Sequence, residues 1–142
     1  MKKKILLIKT ILIFFLFFGN LNASNNNYFD EGEDLFKKEK FEESKIFFER
    51  DLIFNPKSAK SYLYLAKIFN KKENTEEENI NLNNVLLIDP NNDEAIYMLT
   101  LLKIKLSDYD KANELIEKFD LTCKNICSKI EELKSKLEKI KP

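Results

Sequence analysis

The chain has no histidine and only two cysteines, three prolines and two glycines among its 142 residues. Without histidine it cannot form the usual Ser-His-Asp or Cys-His nucleophile arrangements, a histidine-containing zinc site or a Cys-x-x-Cys-His haem attachment. Beyond residue 23 the one glycine is Gly32, so no flexible glycine-rich linker divides the chain. No metal, phosphate or nucleotide motif is present either. We therefore expect a single domain that is not an enzyme and binds no cofactor.

The first twenty-three residues have the order of an export signal. Lys2-Lys3-Lys4 is a basic start, the apolar stretch 5–18 is interrupted by Lys9 and Thr10, and Ala23 precedes Ser24. This pattern predicts a signal peptide over 1–23, cleaved after Ala23, and an exported protein of the periplasm or cell envelope. The alternative is an uncleaved membrane anchor, which would be the chain's one membrane contact. The apolar stretch is short for an anchor, since a span needs about 20 apolar residues.

Charge argues against nucleic acid as a partner. The full chain has 24 basic and 24 acidic residues, and the predicted signal removes four lysines and no acid. The remaining chain is mildly acidic, whereas nucleic-acid binding needs clustered basic residues that neutralise phosphates.

Cys123 and Cys127 are the two cysteines, three residues apart. In an oxidising compartment they could form a disulfide, provided that the local backbone brings their Cα atoms within about 7 Å. The alternative is two free cysteines that act as small apolar residues on a helix.

Two proline phrases thirty-four residues apart organise the chain: Leu52-Ile53-Phe54-Asn55-Pro56 and Leu86-Leu87-Ile88-Asp89-Pro90. Each ends a stretch of helical periodicity, because proline disfavours helical geometry in the residue before it. Periodicity and breaks predict helices over about 28–38, 41–54, 58–70, 75–88, 92–106, 108–119 and 125–140. Thr75 with Glu78 has the spacing of a capping box. No segment alternates convincingly enough to be a strand, so the chain is predicted to be all-α.

Equivalent positions of three thirty-four-residue units, 25–58, 59–92 and 93–126, share residue types. Position four is large and apolar, position eight small, position twenty-four large and apolar, and position thirty-two usually proline: Tyr28, Tyr62, Ile96; Gly32, Ala66, Thr100; Phe48, Leu82, Ile116; Pro56, Pro90, Lys124. This pattern resembles the tetratricopeptide repeat family. The resemblance implies a right-handed α-solenoid of about three helical hairpins over 24–124. Glu78 departs from the small residue of position twenty, which predicts looser packing or a local shift in the second hairpin.

The last segment, 125–142, repeats apolar residues every three or four positions, from Ile126 and Ile130 to Leu133, Leu137 and Ile140. It is interpreted as a capping helix that covers the end of the stack. The alternative is a dimerising coiled coil, for which two heptads are marginal.

The family resemblance also implies a concave groove lined by the first helix of each hairpin. The residues at the family's groove positions include Phe29, Phe36, Lys37, Lys60, Leu63, Lys67, Lys71, Tyr97, Leu101 and Lys105. Lysine recurs at one position of every repeat, Lys37, Lys71 and Lys105, and with Lys60 and Lys67 it could form a basic strip. Such a strip would suit a peptide with acidic groups or a free carboxylate. The alternative is that lysine is favoured there by the helix dipole. Phe29 and Glu33 stand where the carboxylate clamp of chaperone-binding members has Lys and Asn, so that function is not supported.

Three functions follow in order. The first is an exported interaction module or scaffold that binds a peptide or partner protein in this groove. The second is a structural subunit of an envelope assembly that uses the convex face or terminal helix. The third is an enzyme built on carboxylates such as Glu76-Glu77-Glu78, which is disfavoured because consecutive helical residues point in different directions.

Overall fold

The computed structural model describes residues 27–140, which form seven α-helices and no strand. The predicted signal peptide, with its cleavage site, lies outside the described residues. The helices are α1 (Tyr28–Lys37), α2 (Phe41–Phe54), α3 (Ala59–Lys71), α4 (Thr75–Ile88), α5 (Asp93–Lys105), α6 (Tyr109–Thr122) and α7 (Ile130–Ile140), the last preceded by a 3-10 turn, Cys127–Lys129. Consecutive helices pack in pairs, α1 on α2, α3 on α4 and α5 on α6, and α7 packs on α5 and α6. The prediction of three helical hairpins and a terminal helix is confirmed.

Side-chain caps fix where most of the helices begin. The side chains of Ser58, Asn74, Asn92 and Asp108 each accept a hydrogen bond from the backbone N–H three residues later, which satisfies a donor that the first turn leaves open. The predicted capping box of Thr75 and Glu78 does not form. Asn74, one residue earlier, is the cap of α4, and the following text shows that Glu78 points into the hairpin.

The turn between the two helices of each hairpin has one conformation in all three repeats. Glu39, Glu73 and Ser107 have positive φ values of 59°, 56° and 59° and lie thirty-four residues apart. A left-handed residue directly after a helix reverses the chain tightly and is usually glycine. The chain adopts this turn without glycine, so the hairpin geometry holds despite an unfavourable local conformation.

Small residues at position eight let the paired helices approach closely. Gly32 is buried, and a Cβ atom added to it would lie 2.8 Å from the ring of Phe48, which is fully buried. The carbonyl of Gly32 also accepts a 2.8 Å hydrogen bond from the hydroxyl of Ser44 on α2. The glycine is thus required by the neighbouring ring and not by its own backbone conformation.

Glu78 occupies the small-residue position of the second hairpin without shifting it. Only 2% of Glu78 is exposed, and its carboxylate accepts a 2.9 Å hydrogen bond from the side-chain amide of Asn70 on α3. Helix α4 has fourteen residues, like α2 and α6. The departure is therefore accommodated by a buried polar contact, and the expected shift is not seen.

The terminal helix uses its apolar side against the stack. Leu133 and Leu137 are buried in the same core as residues of α5 and α6, while Ile140 at the end is half exposed. This packing is that of a capping helix. The helix begins at Ile130, later than the predicted residue 125, because residues 123–127 form a disulfide-closed turn. Cys123 and Cys127 are bonded, with their Cα atoms 5.5 Å apart.

Candidate peptide-binding groove

All ten residues expected to line a groove lie on the first helices of the hairpins. Phe29, Phe36 and Lys37 are on α1; Lys60, Leu63, Lys67 and Lys71 are on α3; and Tyr97, Leu101 and Lys105 are on α5. We call the surface formed by these residues the groove face. Its phenylalanines, Tyr97 and Leu101 are half-buried, Leu63 is buried, and the lysines other than Lys67 are exposed.

An aromatic cluster forms one end of the groove face. The ring of Tyr64 stacks on Phe48 at 4.8 Å and meets Phe29 and Phe36 edge-on at 5.7 and 5.0 Å. Such pairs contribute about 0.5–1.5 kcal/mol each beyond the area that they bury. Tyr64 is the residue that connects α3 to the first hairpin. It was not among the predicted groove residues, because the sixth position of the repeat is not a groove position of the family.

The hydroxyl of Tyr64 belongs to a small polar network on the same surface. It donates a 2.7 Å hydrogen bond to Glu33, whose other oxygen accepts one from Lys37 at 2.8 Å. The hydrogen bonds from Lys37 and Tyr64 hold the pKa of Glu33 below its usual value. Burial and the neighbouring carboxylate raise the pKa of Tyr64 to about 12. Glu33 therefore stays charged, and this end of the groove face repels a carboxylate.

Lys67 and Lys60 lie in the middle of the groove face. The ammonium of Lys67 is 2.9 Å from Glu94 on the next hairpin and 4.8 Å from the ring centre of Tyr64. Lys60 lies 5.7 Å from the ring centre of Phe29 and, among the described residues, has no carboxylate within salt-bridge distance. Lys60 is consequently the cation of this region that is most open to a ligand.

The recurring lysines lie at one end of the helices. Lys37, Lys71 and Lys105 are the last residues of α1, α3 and α5, where a cation interacts favourably with the helix dipole. Lys71 also lies 5.0 Å from the ring centre of Phe41. The five lysines thus form two sets, one in the middle of the groove face and one at the helix ends. The dipole accounts for the second set without a ligand.

An open groove of about 460 Å³ lies where α3 and α5 meet the turn before α7. It is lined by Leu63, Asn92, Asp93, Glu94, Tyr97, Asn125, Ile126 and Lys129. Its volume lies within the range of about 300–1,000 Å³ that is usual for small-ligand sites, so it could take one or two side chains of a peptide.

Tyr97 and its neighbours form the wall of this groove on the α7 side. The hydroxyl of Tyr97 donates a 3.0 Å hydrogen bond to Glu132, and Lys129 lies 5.8 Å from the ring centre. Hydrogen bonds from Lys129, Lys136 and Tyr97 lower the pKa of Glu132 to about 2. Both ends of the capping helix's first turn are thereby tied to the groove.

The opposite wall is the disulfide-closed turn, which Asp93 anchors. One oxygen of the buried Asp93 carboxylate accepts hydrogen bonds from the backbone N–H groups of Lys124 at 2.8 Å and Asn125 at 2.6 Å. Burial acts to raise the pKa of Asp93, but these hydrogen bonds outweigh it and lower the pKa. Neither Asp93 nor the turn was predicted as part of the site. The missing signal is a contact between residues more than thirty positions apart.

The groove face offers binding chemistry. Within residues 27–140, no group of three or more Cys, Asp or Glu side chains could hold a metal ion. Nor does this part of the chain contain a helix that is both long and apolar enough to cross a membrane. What the groove face presents is aromatic rings, aliphatic side chains and ion-paired charges.

No family model matches the chain, and no curated protein matches its sequence. Several solved structures do match its fold. The TPR2B domain of yeast Sti1, solved in a complex with pHsp70, has a TM-score of 0.70 and 19% identity over 80% of this chain and 94% of its own. The second TPR domain of human RPAP3, solved with the HSP70 peptide SGPTIEEVD, has a TM-score of 0.66 and 21% identity over 81% of this chain and 92% of its own.

A tetratricopeptide repeat protein from Parabacteroides merdae matches with a TM-score of 0.75 and 23% identity over 84% of this chain. The chain has the tetratricopeptide-repeat fold. It spans 47% of the Parabacteroides protein, so that protein is about twice as long as the matched region. The fold expected from the proline phrases and the small-residue positions is confirmed. In a tetratricopeptide-repeat stack the groove face of α1, α3 and α5 is the concave side.

Proposed function

We propose that this protein is an interaction module that binds a peptide segment of a partner protein on the groove face. The observation that carries the proposal is the open groove of about 460 Å³ between α3, α5 and the disulfide-closed turn. Its Leu63 and Tyr97 offer apolar contact, and polar atoms of Asn92 and Asn125 lie at its rim. A peptide could place a side chain in this groove and continue along α3 and α1.

Two of the structures with the same fold are described as complexes with Hsp70 or its peptide. We carry over to this chain only the mode of binding and not the partner. The clamp for a terminal carboxylate is disfavoured by Glu33, which stays negatively charged beside Tyr64 and Lys37. A ligand with an acidic group is best received near Lys60, which has no carboxylate partner among the described residues.

We also propose that the protein is exported to the periplasm or cell envelope. The support is the sequence of residues 1–23 alone, with its lysines, apolar stretch and Ala23. Mass spectrometry of the protein from fractionated cells tests this point. A mature N-terminus at Ser24 in the envelope fraction supports export, and an intact N-terminus in the cytoplasmic fraction contradicts it.

A second candidate function is that of a structural subunit in an envelope assembly. The terminal helix is poorly suited to that role, because Leu133 and Leu137 already face the core. The outer side of the second helices suits it better, because large apolar residues are exposed there, among them Ile53 and Leu87. This second function therefore depends on that side of the molecule and not on α7.

The experiment that tests the groove is affinity capture from the native envelope with matched variants. Lys60→Glu reverses the charge of the groove face without breaking an ion pair seen in the structure. We expect it to reduce capture of a specific partner by about tenfold or more, since like charges across an interface cost several kcal/mol. Lys139→Glu, exposed in the last turn of α7, is the control and should capture normally. Equal capture by the wild type and both variants would exclude the groove near Lys60.

A further inference from the structure

Large apolar residues are exposed on the second helices at the period of the repeat. Ile53, Leu87 and Leu121 lie thirty-four residues apart near the ends of α2, α4 and α6, and they are 74%, 82% and 87% exposed. They are the three most exposed large apolar residues in the described part of the chain. One exposed leucine needs no explanation, but three at equivalent positions of a stack form a row on one surface.

A second row runs parallel to the first. Ile46 on α2 and Ile80 on α4 are 49% and 45% exposed and lie seven residues before Ile53 and Leu87. Seven residues are two turns of a helix, so both rows lie on the same side of their helices. We call the surface of these five residues, Ile46, Ile53, Ile80, Leu87 and Leu121, the outer face.

Helix α4 shows the cost of this arrangement most clearly. Leu82 and Val85 are completely buried against the rest of the fold, whereas Ile80 and Leu87 face solvent. A helix that is apolar on both sides is normally covered on both sides. The outer face therefore has the composition of a surface that is buried in an assembly.

The polar residues between the two rows differ from helix to helix in an ordered way. Each second helix has two of them at equivalent positions: Glu49 and Arg50 on α2, Asn83 and Asn84 on α4, and Glu117 and Lys118 on α6. An acidic residue is followed by a basic one on the two outer helices, and the middle helix has only neutral amides. The face has no net charge, which gives it no preference for anionic lipid.

This order of charges is complementary to itself. A two-fold axis through α4, between Asn83 and Asn84, reverses the helix direction and brings α2 of one copy over α6 of the other. Glu49 then faces Lys118 of the second copy and Arg50 faces its Glu117. The neutral amides meet at the axis, so no like charges are opposed there.

The same axis pairs the apolar rows. Ile80 meets Leu87, Ile46 meets Leu121, and Ile53 meets the stem of Glu114, whose carboxylate is held by Lys111 at 2.7 Å. From these two kinds of complementarity we infer that the occupant of the outer face is a second copy of this chain, in an antiparallel two-fold dimer. The groove face lies on the other side of the stack and stays open in this dimer.

The size of the outer face suits a reversible dimer. Three helices of fourteen residues at about 1.5 Å per residue and about 10 Å spacing present about 600 Å² per copy. The total of about 1,200 Å² is at the lower end of the range for specific interfaces. We therefore expect a dissociation constant of about micromolar order, because area alone does not give tight binding.

Sedimentation velocity of the protein, purified in the form that the cell produces, tests the dimer from about 1 to about 500 µM. We expect the mass to rise from monomer to dimer over this range. Leu87→Lys places two ammonium groups at the axis and should weaken association by about 100-fold or more. Leu106→Lys, which replaces an exposed leucine outside the outer face, is the control and should not change it. Far-UV circular dichroism of both variants should match the wild type.

Charge reversal separates self-association from another occupant. Arg50→Glu and Glu117→Arg should each weaken the dimer, and the two together should restore it. Helices α2 and α6 of one chain are separated by α4, so this rescue can come only from contacts between copies. A monomer at every concentration, or a double variant as weak as the single ones, would overturn the proposal. So would a monomer that binds phosphatidylglycerol vesicles in a Leu87-dependent way, which would make the outer face a membrane surface.

Discussion

Replacing Glu78 with glutamine should stabilise the protein near neutral pH. Only 2% of this residue is exposed, and Asn70 is the one side chain that hydrogen-bonds its carboxylate. Burial raises the pKa of Glu78 above its ordinary value of 4.5, and the hydrogen bond from Asn70 and the charge of Lys105 only partly oppose this. Glutamine keeps an oxygen for Asn70 to contact and removes the buried charge.

The magnitude follows from the cost of burying a polar group with incomplete hydrogen bonding, which mutational data place at about 1–3 kcal/mol. Because the partner amide is retained, we expect Glu78→Gln to raise the free energy of unfolding by about 1–2 kcal/mol at pH 7. For a domain of this size that corresponds to a rise of roughly 4–8 °C in the melting temperature.

The sign of the pH dependence distinguishes this cause from better packing. Since the pKa of Glu78 is raised on folding, the folded state holds the proton more tightly than the unfolded state does. The resulting stability is fully present below the ordinary pKa of 4.5 and is lost as the pH rises through the higher folded pKa. The advantage of Glu78→Gln should therefore be largest at neutral pH and vanish in acid.

Urea unfolding followed by far-UV circular dichroism, at pH 7 and at about pH 4, measures both values. Glu76→Gln, an exposed change in the same turn of α4, is the matched control and should have little effect at either pH. A variant that is less stable than the wild type at pH 7, or equally stabilised at both pH values, would refute the reasoning.

Three further changes test other parts of the fold by the same urea titration. Gly32→Ala should lower the free energy of unfolding by about 1–2 kcal/mol, because the added Cβ overlaps the Phe48 ring and the gain in helix propensity offsets only part of the cost; a more stable variant would contradict this contact. Glu73→Gly should raise it by about 0.5–1 kcal/mol by relieving the left-handed turn, and a loss would show that the turn is not strained. Cys127→Ser should lower it by about 2 kcal/mol, as expected for opening so short a loop. A thiol reductant should act likewise on the wild type and not on the variant, and equal sensitivity of both would exclude the bond to Cys123.

The fold was predictable because its signals are local and repeated. Pro56 and Pro90 end helices at a fixed spacing, and Gly32 and Ala66 mark the positions of close approach, so period and register could be read without tertiary information. Left-handed turns at Glu39 and its equivalents were not foreseen, because nothing in those residue types asks for positive φ.

The site was predictable in its elements but not in its contacts. The groove positions do fall on the first helices, but ion pairs such as Lys67 with Glu94 join different hairpins and leave no local pattern. The start of α7 at Ile130 has the same origin. It depends on a disulfide and on Asp93, which lies about thirty residues away in sequence and holds the turn by its backbone.

The central claim is that the groove face binds a partner, and photo-crosslinking in living cells tests it most directly. A photoreactive amino acid is placed at Lys60 or Glu94 on the groove face, and at exposed Asp110 on α6 as the control. We predict that both groove positions crosslink to one and the same second protein and that Asp110 does not. Crosslinks to a second protein from Asn83 on the outer face, with none from Lys60 or Glu94, would contradict it.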